Sequence, residues 1–137
     1  MKAEIRLRTL QRVDGKTEEL VHSARGIVRR EGGVLLVTYL LDGIHHEMRI
    51  DSVRASVSVV RNWQEKGQLF YQEGRRHTVL YETPVGELEL SFDTKRLLLF
   101  VPEEETERSV IELRYEVFQY GSSIMDCELR IEISPVK

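Results

Sequence analysis

A polar cluster near the middle of the sequence has the residue types needed to hold a small ligand. The stretch EGRRHTVLYETPVGELELSF (73–92) places His77, Val79, Tyr81 and Thr83 at alternate positions. Alternate side chains of a β-strand point to one face, so these four residues would form a row. A polar row at the mouth of a barrel could orient a ligand by hydrogen bonds.

The same row also has a purely structural interpretation, which we favour. Thr and Tyr are good strand formers, and His77 could hydrogen-bond to a neighbouring strand. Pro84 has no N–H to donate and would end the strand ladder, and Gly86 would permit a tight reversal into the next strand. We therefore interpret half of this motif as residues that form a turn between two strands. The ligand-binding row is the alternative.

Arg61 is the fourth candidate for ligand binding. It shares parity with Val57 and Val59, which would place a cation on the inner face of a barrel. A guanidinium there could bind a ligand carboxylate through two parallel hydrogen bonds. However, Arg61 directly precedes the polar stretch NWQEKG, so its side chain could equally extend into solvent at the strand end, and we favour this second interpretation.

Other chemistries find little support in the sequence. His45 and His46 are adjacent, so on a strand they would point to opposite faces and could not readily share a metal ion. Cys127 is the single cysteine, on an apolar face with no base to activate it. The sequence has no glycine-rich phosphate loop, no nucleophile elbow and no HExxH motif. Glu87 and Glu89 are weak acid–base candidates. We therefore predict no metal, no cofactor and no catalytic residue.

Composition limits the partners and the cellular location. The chain has 137 residues, 41% hydrophobic and 31% charged, with 20 basic and 23 acidic residues and a net charge of −3. This balance favours neither nucleic acid nor an anionic membrane as a partner. The first residues form no secretory signal, and the single cysteine suits a reducing compartment. We predict one domain, residues 1–137, in the cytoplasm; a homodimer is compatible with the sequence but cannot be derived from it.

Periodicity determines the predicted fold class. Five segments alternate apolar and polar residues with a period of two, which is typical of half-buried antiparallel strands. They lie at 3–9, 53–59, 87–92, 111–117 and 125–133. Turn residues recur between the runs, and no segment has a helical pattern. We predict an all-β protein: a single closed, mostly antiparallel β-barrel of eight to ten strands, since closure removes exposed edges.

The alternating positions also predict the core. The apolar members of three segments should be buried, namely Leu88, Leu90, Phe92, Leu113, Tyr115, Leu129 and Ile131. The acidic stretch PEEETER (102–108) is predicted to be a solvated connection.

The sequence resembles a known family at its central motif. EGRRHTVLYETPVGELELSFDTKRL (73–97) is similar to the motif of the YwiB-like bacterial family of unknown function. The matching positions are Gly74, Arg76, His77, Tyr81, Glu82, Thr83, Pro84, Gly86, Thr94 and Lys95. The early RGIVRREGGVLLVTYLLD and the late IELRYEVF also resemble the strands of this family. The resemblance implies a lipocalin-like, calycin-type β-barrel, and it implies no activity.

Three functions remain in order of preference. The first is a non-catalytic barrel that binds a small, partly apolar ligand in its interior, with Arg61, His77, Tyr81 and Thr83 as candidate contacts. The second is a protein interaction module that uses the barrel exterior and has a filled core. The third is an enzyme that uses the region around His77.

Overall fold

The fold consists of ten antiparallel strands in the described part of the chain. The structure, a computed structural model, describes residues 1–62 and 64–136, without the side chains of 64–67 and 81–83. The strands are β1 (Lys2–Val13), β2 (Lys16–Glu31), β3 (Val34–Leu41), β4 (Ile44–Asp51), β5 (Ser56–Arg61), β6 (Gln64–Gln72), β7 (Arg76–Thr83), β8 (Gly86–Phe100), β9 (Ser109–Gln119) and β10 (Ser122–Pro135).

A single sheet contains all ten strands and curls into a nearly closed barrel. Its order is β6-β5-β4-β3-β2-β1-β10-β9-β8-β7, so the two edge strands, β6 and β7, follow one another in the chain. We call the junction between them the seam. The predicted all-β class, antiparallel arrangement, strand number and barrel are confirmed. Within the described residues, the structure contains no helix long and apolar enough to cross a membrane.

The barrel interior is lined by the faces that the alternation predicted. Phe92, Leu113, Tyr115 and Ile131 are buried, and Leu90 and Leu129 are half-buried and pack against this core. Leu88 is half-buried on the same face of β8. Other buried residues come from β1, β3, β4, β5 and β10, including Ala3, Ile5, Val37, Met48, Ile50, Val57 and Ile133.

The segment before β5 differs from the predicted alternation. Val53 and Ala55 do not belong to a strand, because the chain turns between β4 and β5. The Asp51 side chain causes this turn locally, since Oδ1 accepts the backbone N–H groups of Val53 and Arg54, each at 3.0 Å. Such carboxylate-to-backbone bonds are typical of aspartate-initiated turns. Val53 is consequently exposed, and β5 begins only at Ser56.

The corner predicted at Pro84 and Gly86 lies between β7 and β8, where Thr83 pairs with Gly86 and Gly86 has a φ of 122°.

A second turn of the same motif, residues 73–75, lies before β7. Gly74 N–H donates to Thr94 O at 2.9 Å, and Thr94 N–H donates to Arg75 O at 3.0 Å. Glu73 Oε1 accepts Leu97 N–H at 3.1 Å. The register of β8 shifts directly after Thr94, which marks a β-bulge. The turn 73–75 is therefore fastened to the bend of β8 by three hydrogen bonds.

The two ends of the barrel can be told apart by their connections. The β1–β2, β3–β4 and β9–β10 hairpins turn at one end, which we call the upper end. At the other, lower end, the connection 101–108 joins β8 to β9. Arg30, near the end of β2, donates from Nη2 to Pro102 O at 2.6 Å, and this bond ties the connection to β2.

Candidate functional site

Three side chains form a row across the inner face at the upper end. Arg61, the last residue of β5, lies opposite His46 of β4, and His46 lies opposite Tyr39 of β3. Two positions further down the strands, Val59 lies opposite buried Met48, so this parity is the inner one. The prediction that Arg61 shares the inner-face parity agrees with this register. We call Tyr39, His46 and Arg61 the mouth row.

Solvent exposure increases along the mouth row from Tyr39 to Arg61. The rings of Tyr39 and His46 are stacked, with centroids 4.9 Å apart and planes 2° from parallel. Tyr39 is buried, His46 is half-buried and Arg61 is exposed. Gly26 lies opposite Tyr39, and a Cβ at Gly26 would come within 2.3 Å of Thr38 O and 3.0 Å of Tyr39 Cβ. The glycine therefore leaves the space that the Thr38 carbonyl oxygen and the Tyr39 Cβ occupy.

His46 has the electrostatics of a neutral imidazole. Burial is the largest influence and lowers the His46 pKa, while Arg61 and His45 lower it further against an opposing hydrogen bond. That bond joins His46 Nδ1 to Ile44 O at 3.0 Å. A carbonyl oxygen only accepts, so the bond holds the proton on Nδ1 and leaves Nε2 as an acceptor in the neutral ring.

Tyr39 is a neutral phenol for the same reason. Burial raises the pKa of Tyr39 to about 12, and the opposing attraction of the Arg61 cation is smaller. Arg61 thus supplies the positive charge of the mouth row, beside two neutral aromatic rings.

His77 lies at the seam and contacts β6. Its Nε2 is 2.8 Å from Gln68 O, and its ring meets Phe70 edge-on with centroids 6.0 Å apart. It shares the face of buried Val79 on β7. The structure therefore brings His77 to the neighbouring strand and Arg61 to the mouth row. The ligand-binding role of His77 stays a prediction.

The remaining two candidates fall in the part of β7 whose side chains are not described. The backbone pairs Tyr81 with Leu88 and Thr83 with Gly86. The side chains of Tyr81 and Thr83 lie outside the described residues, so their predicted ligand contacts stay predictions.

A cluster of buried polar groups lies inside the barrel, and the alternation predicted the inner position of Tyr115 and the apolar face of Cys127 but not their contacts. Cys127, Tyr115 and Thr94 lie opposite one another on β10, β9 and β8, and the Tyr71 ring lies 5.1 Å from that of Tyr115. Burial raises the pKa of Tyr115 and of the Cys127 thiol. Thr94 is 1% exposed, and its Oγ1 has no hydrogen-bond partner within the described structure.

Parity is the available signal for these residues, and it predicts burial without predicting contacts. Tyr39 and Tyr115 each share a face with aliphatic neighbours, which indicates core positions. The sequence does not indicate that Tyr39 stacks on His46, because strand pairing decides which inner residues meet. His45 and His46 do lie on opposite faces: His45 pairs with exposed Leu40 and His46 with buried Tyr39.

Comparison with known proteins places the chain in a family. Residues 5–131 match a domain of unknown function, DUF1934. The chain belongs to the DUF1934 family. No curated protein matches the sequence of this DUF1934 protein.

A solved structure has a similar fold. The crystal structure of the YwiB protein from Bacillus subtilis is 17% identical in sequence, with a TM-score of 0.82 over 99% of this chain and 92% of that chain. The resemblance to the YwiB-like family is thereby confirmed, and at this identity the likeness concerns the fold alone.

Proposed function

We propose that this DUF1934 protein binds a small, partly apolar carboxylate at the upper end of its barrel, without catalysis. The observation that carries the proposal is the mouth row, in which an exposed arginine shares the inner face with a stacked Tyr–His pair. The family assignment adds no ligand, because its members are of unknown function.

Each member of the mouth row suits one part of such a ligand. The planar guanidinium of Arg61 can form two parallel hydrogen bonds with a carboxylate. The free Nε2 of His46 can accept a hydrogen bond from a hydroxyl group of the ligand. Below them, the half-buried Val59 offers apolar contact to a hydrocarbon chain or ring.

The β8–β9 connection covers part of the lower end, which favours entry from above. Arg30 and Pro102 tie the β8–β9 connection to β2 there. At the upper end, β5 ends at Arg61 and β7 ends at Thr83. Tyr81 and Thr83 belong to the proposal as predicted further contacts near this end, and His77 as a predicted contact deeper along β7.

The proposal is tested with paired probes that differ only in charge. Octanoate and 3-phenylpropionate are the carboxylates, and 1-octanol and 3-phenylpropanol are the uncharged matches. A carboxylate that binds the folded state should raise the melting temperature, since a ligand at 100 times its Kd adds about 2.7 kcal/mol of stability. The alcohols should raise it far less, because they cannot pair with Arg61.

Variants assign the effect to the mouth row. We expect Arg61→Ala to abolish the stabilisation by carboxylates. Arg61→Lys should retain part of it, because lysine keeps the positive charge but cannot form the two parallel hydrogen bonds of a guanidinium. Arg49→Ala is the matched control, because Arg49 is exposed on the opposite face of β4. The proposal is wrong if neither carboxylate stabilises the wild type, or if Arg61→Ala responds as the wild type does.

A further inference from the structure

The outer face of four neighbouring strands has a depression in which arginines predominate. The strands β1, β10, β9 and β8 are adjacent in the sheet. A depression of about 420 Å³ on this face is lined by four arginines, two glutamates and four leucines. Its charged residues are Arg8, Arg96, Arg114, Arg130, Glu112 and Glu128. We call it the arginine depression. Its lining has a net charge of +2, although the whole chain has a net charge of −3.

The sheet places the four arginines in two pairs of like charge. Arg8 lies directly opposite Arg130, and Arg96 lies directly opposite Arg114. Like charges in directly opposed positions destabilise a sheet. The two pairs are offset by two residues along the strands. Strand spacing and rise put the centres of the two pairs about 10 Å apart across the strands and about 7 Å apart along them.

Ion pairs within the chain use only part of the guanidinium donors. Arg8 donates from Nε to Glu19 at 2.9 Å, and Arg114 donates from Nη2 to Asp126 at 3.5 Å. Both acceptors lie outside the lining of the arginine depression. Arg96 is exposed and forms no ion pair with any residue that the structure describes. Because a guanidinium has five N–H donors, each of these three arginines can still bind an anion.

Arg130 is held in position by two carboxylates. It donates from Nε to Glu132 at 3.0 Å and from Nη1 to Glu112, and these two bonds do not use Nη2. A side chain that is already positioned loses less conformational entropy when an anion binds. Arg6 lies opposite Glu132 and lines a smaller depression of about 90 Å³ together with Arg8, Arg130 and Glu132. The basic surface therefore continues beyond the arginine depression.

We propose that the arginine depression binds a small sugar or polyol that has two phosphate groups. Each arginine pair can hold one phosphate group, because guanidinium groups form two parallel hydrogen bonds with phosphate oxygens. All four arginines line the same depression, so one ligand can reach both pairs. The two bound phosphates would also offset the repulsion within each arginine pair.

The glutamates between the two pairs favour an uncharged, hydroxylated linker between the phosphates. Glu112 and Glu128 lie opposite Arg130 and Arg114 on the two central strands. Their carboxylates would repel negative charge there, but they can accept hydrogen bonds from hydroxyl groups. Leu98, which is 45% exposed, and the half-buried Leu10 offer apolar contact to the carbon chain from the two outer strands.

The size and place of the arginine depression agree with a small ligand outside the barrel. A volume of about 420 Å³ lies in the range of small-molecule sites. The arginine depression lies on the outer face and the mouth row on the inner face. The proposal is therefore independent of carboxylate binding at the mouth row.

Isothermal titration calorimetry with three probes at one ionic strength tests the ligand class. The probes are fructose 1,6-bisphosphate, fructose 6-phosphate and tripolyphosphate. We expect the Kd of the bisphosphate to be at least tenfold below that of the monophosphate, which can occupy only one arginine pair. Tripolyphosphate should bind more weakly than the bisphosphate, because its central phosphate places negative charge beside Glu112 and Glu128.

Variants assign the binding to the arginine depression. Arg96→Ala should raise the Kd of the bisphosphate at least tenfold, and Arg96→Lys should raise it less, since lysine keeps the charge. The melting temperature of Arg96→Ala without ligand should not fall, because the change removes a like charge beside Arg114. Arg49→Ala is the matched control, because Arg49 is an exposed arginine on the outer face of β4. Arg61→Ala is the control for the mouth row, and both controls should bind as the wild type does.

Any of four results would overturn the proposal. One is a wild type that binds the bisphosphate no more tightly than the monophosphate. Another is an Arg96→Ala variant that binds the bisphosphate as the wild type does, or an Arg61→Ala variant that does not bind it. A third is tighter binding of tripolyphosphate, which would assign the arginine depression to inorganic polyphosphate. The last is a single-stranded oligonucleotide that binds more tightly than all three probes, which would assign these arginines to a nucleic-acid backbone.

Discussion

At the scale of single residues, His77 joins two strands that the backbone ladder does not join. Among the described residues, the ladder begins at β6 and ends at β7. His77 Nε2 lies 2.8 Å from Gln68 O, across the seam. The structural interpretation of His77 as a residue bonded to a neighbouring strand agrees with this contact.

We expect His77→Ala to lower the free energy of unfolding by about 1–2 kcal/mol, from one hydrogen bond and the lost packing on Phe70. His22→Ala is the control, because His22 is half-buried on β2 and forms no hydrogen bond in the described part; its cost should be about 0.5 kcal/mol. Urea titration of both variants measures the difference. Equal losses would show that the seam bond contributes nothing.

The sequence predicted which face of the sheet a residue occupies, but it did not predict which residue lies opposite it on the next strand. Parity placed Arg61 and Val59 on one face, and the register agrees. His46 was considered only as a metal ligand, because its stacking on Tyr39 depends on the pairing of β3 with β4. Which residues meet across a sheet depends on register, and a single sequence specifies register only weakly before the turns are known.

At the scale of elements, the turn 73–75 and the bulge of β8 act as one unit. The alternation of Leu88, Leu90 and Phe92 correctly predicted the first half of β8. Strands are also predicted at 86–93 and 95–101, and the structure joins them into one strand, β8, which bends at Thr94. A bulge shifts the parity of side chains by one, so Leu97 returns to the inner face where simple alternation places Arg96.

Gly74 allows a direct test of this unit. Its φ is 78°, in the left-handed region, and a Cβ there would meet no atom within 4 Å. The cost of Gly74→Ala should therefore come from the backbone alone, at about 1–2 kcal/mol. Gly74→Asn should cost less, because asparagine tolerates this conformation. Chemical denaturation of the two variants checks the order, and the reverse order would mean that the turn does not require a left-handed residue.

At the scale of the whole molecule, buried phenols make the barrel sensitive to alkali. Burial raises the pKa of Tyr39 to about 12 and also raises that of Tyr115. An unfolded tyrosine loses its proton near pH 10, while these folded ones keep it. The unfolded state then binds fewer protons, so stability is fully present below pH 10 and declines as the pH rises towards 12.

The expected loss from Tyr39 is about 1.4 kcal/mol for each pH unit between 10 and 12. Unfolding free energies measured from pH 8 to 11.5 should fall less steeply in Tyr39→Phe than in the wild type. Tyr120→Phe is the control, since Tyr120 is 70% exposed, and its slope should match the wild type. A Tyr39→Phe slope as steep as that of the wild type would contradict the burial of an unionised phenol at this position.

The strand order also has a kinetic consequence. In the described part of the chain, eight of the nine strand pairings join consecutive strands, and only β1 with β10 joins distant ones. Consecutive strands can form in the manner of a zipper, because each step closes a short loop at small entropic cost. The β1–β10 pairing instead closes a loop of most of the chain, from Arg12 to Asp126 at its nearest pair. We expect the pairing of β1 with β10 to limit the folding rate. It would join two half-sheets, β1–β6 and β7–β10, that have already formed.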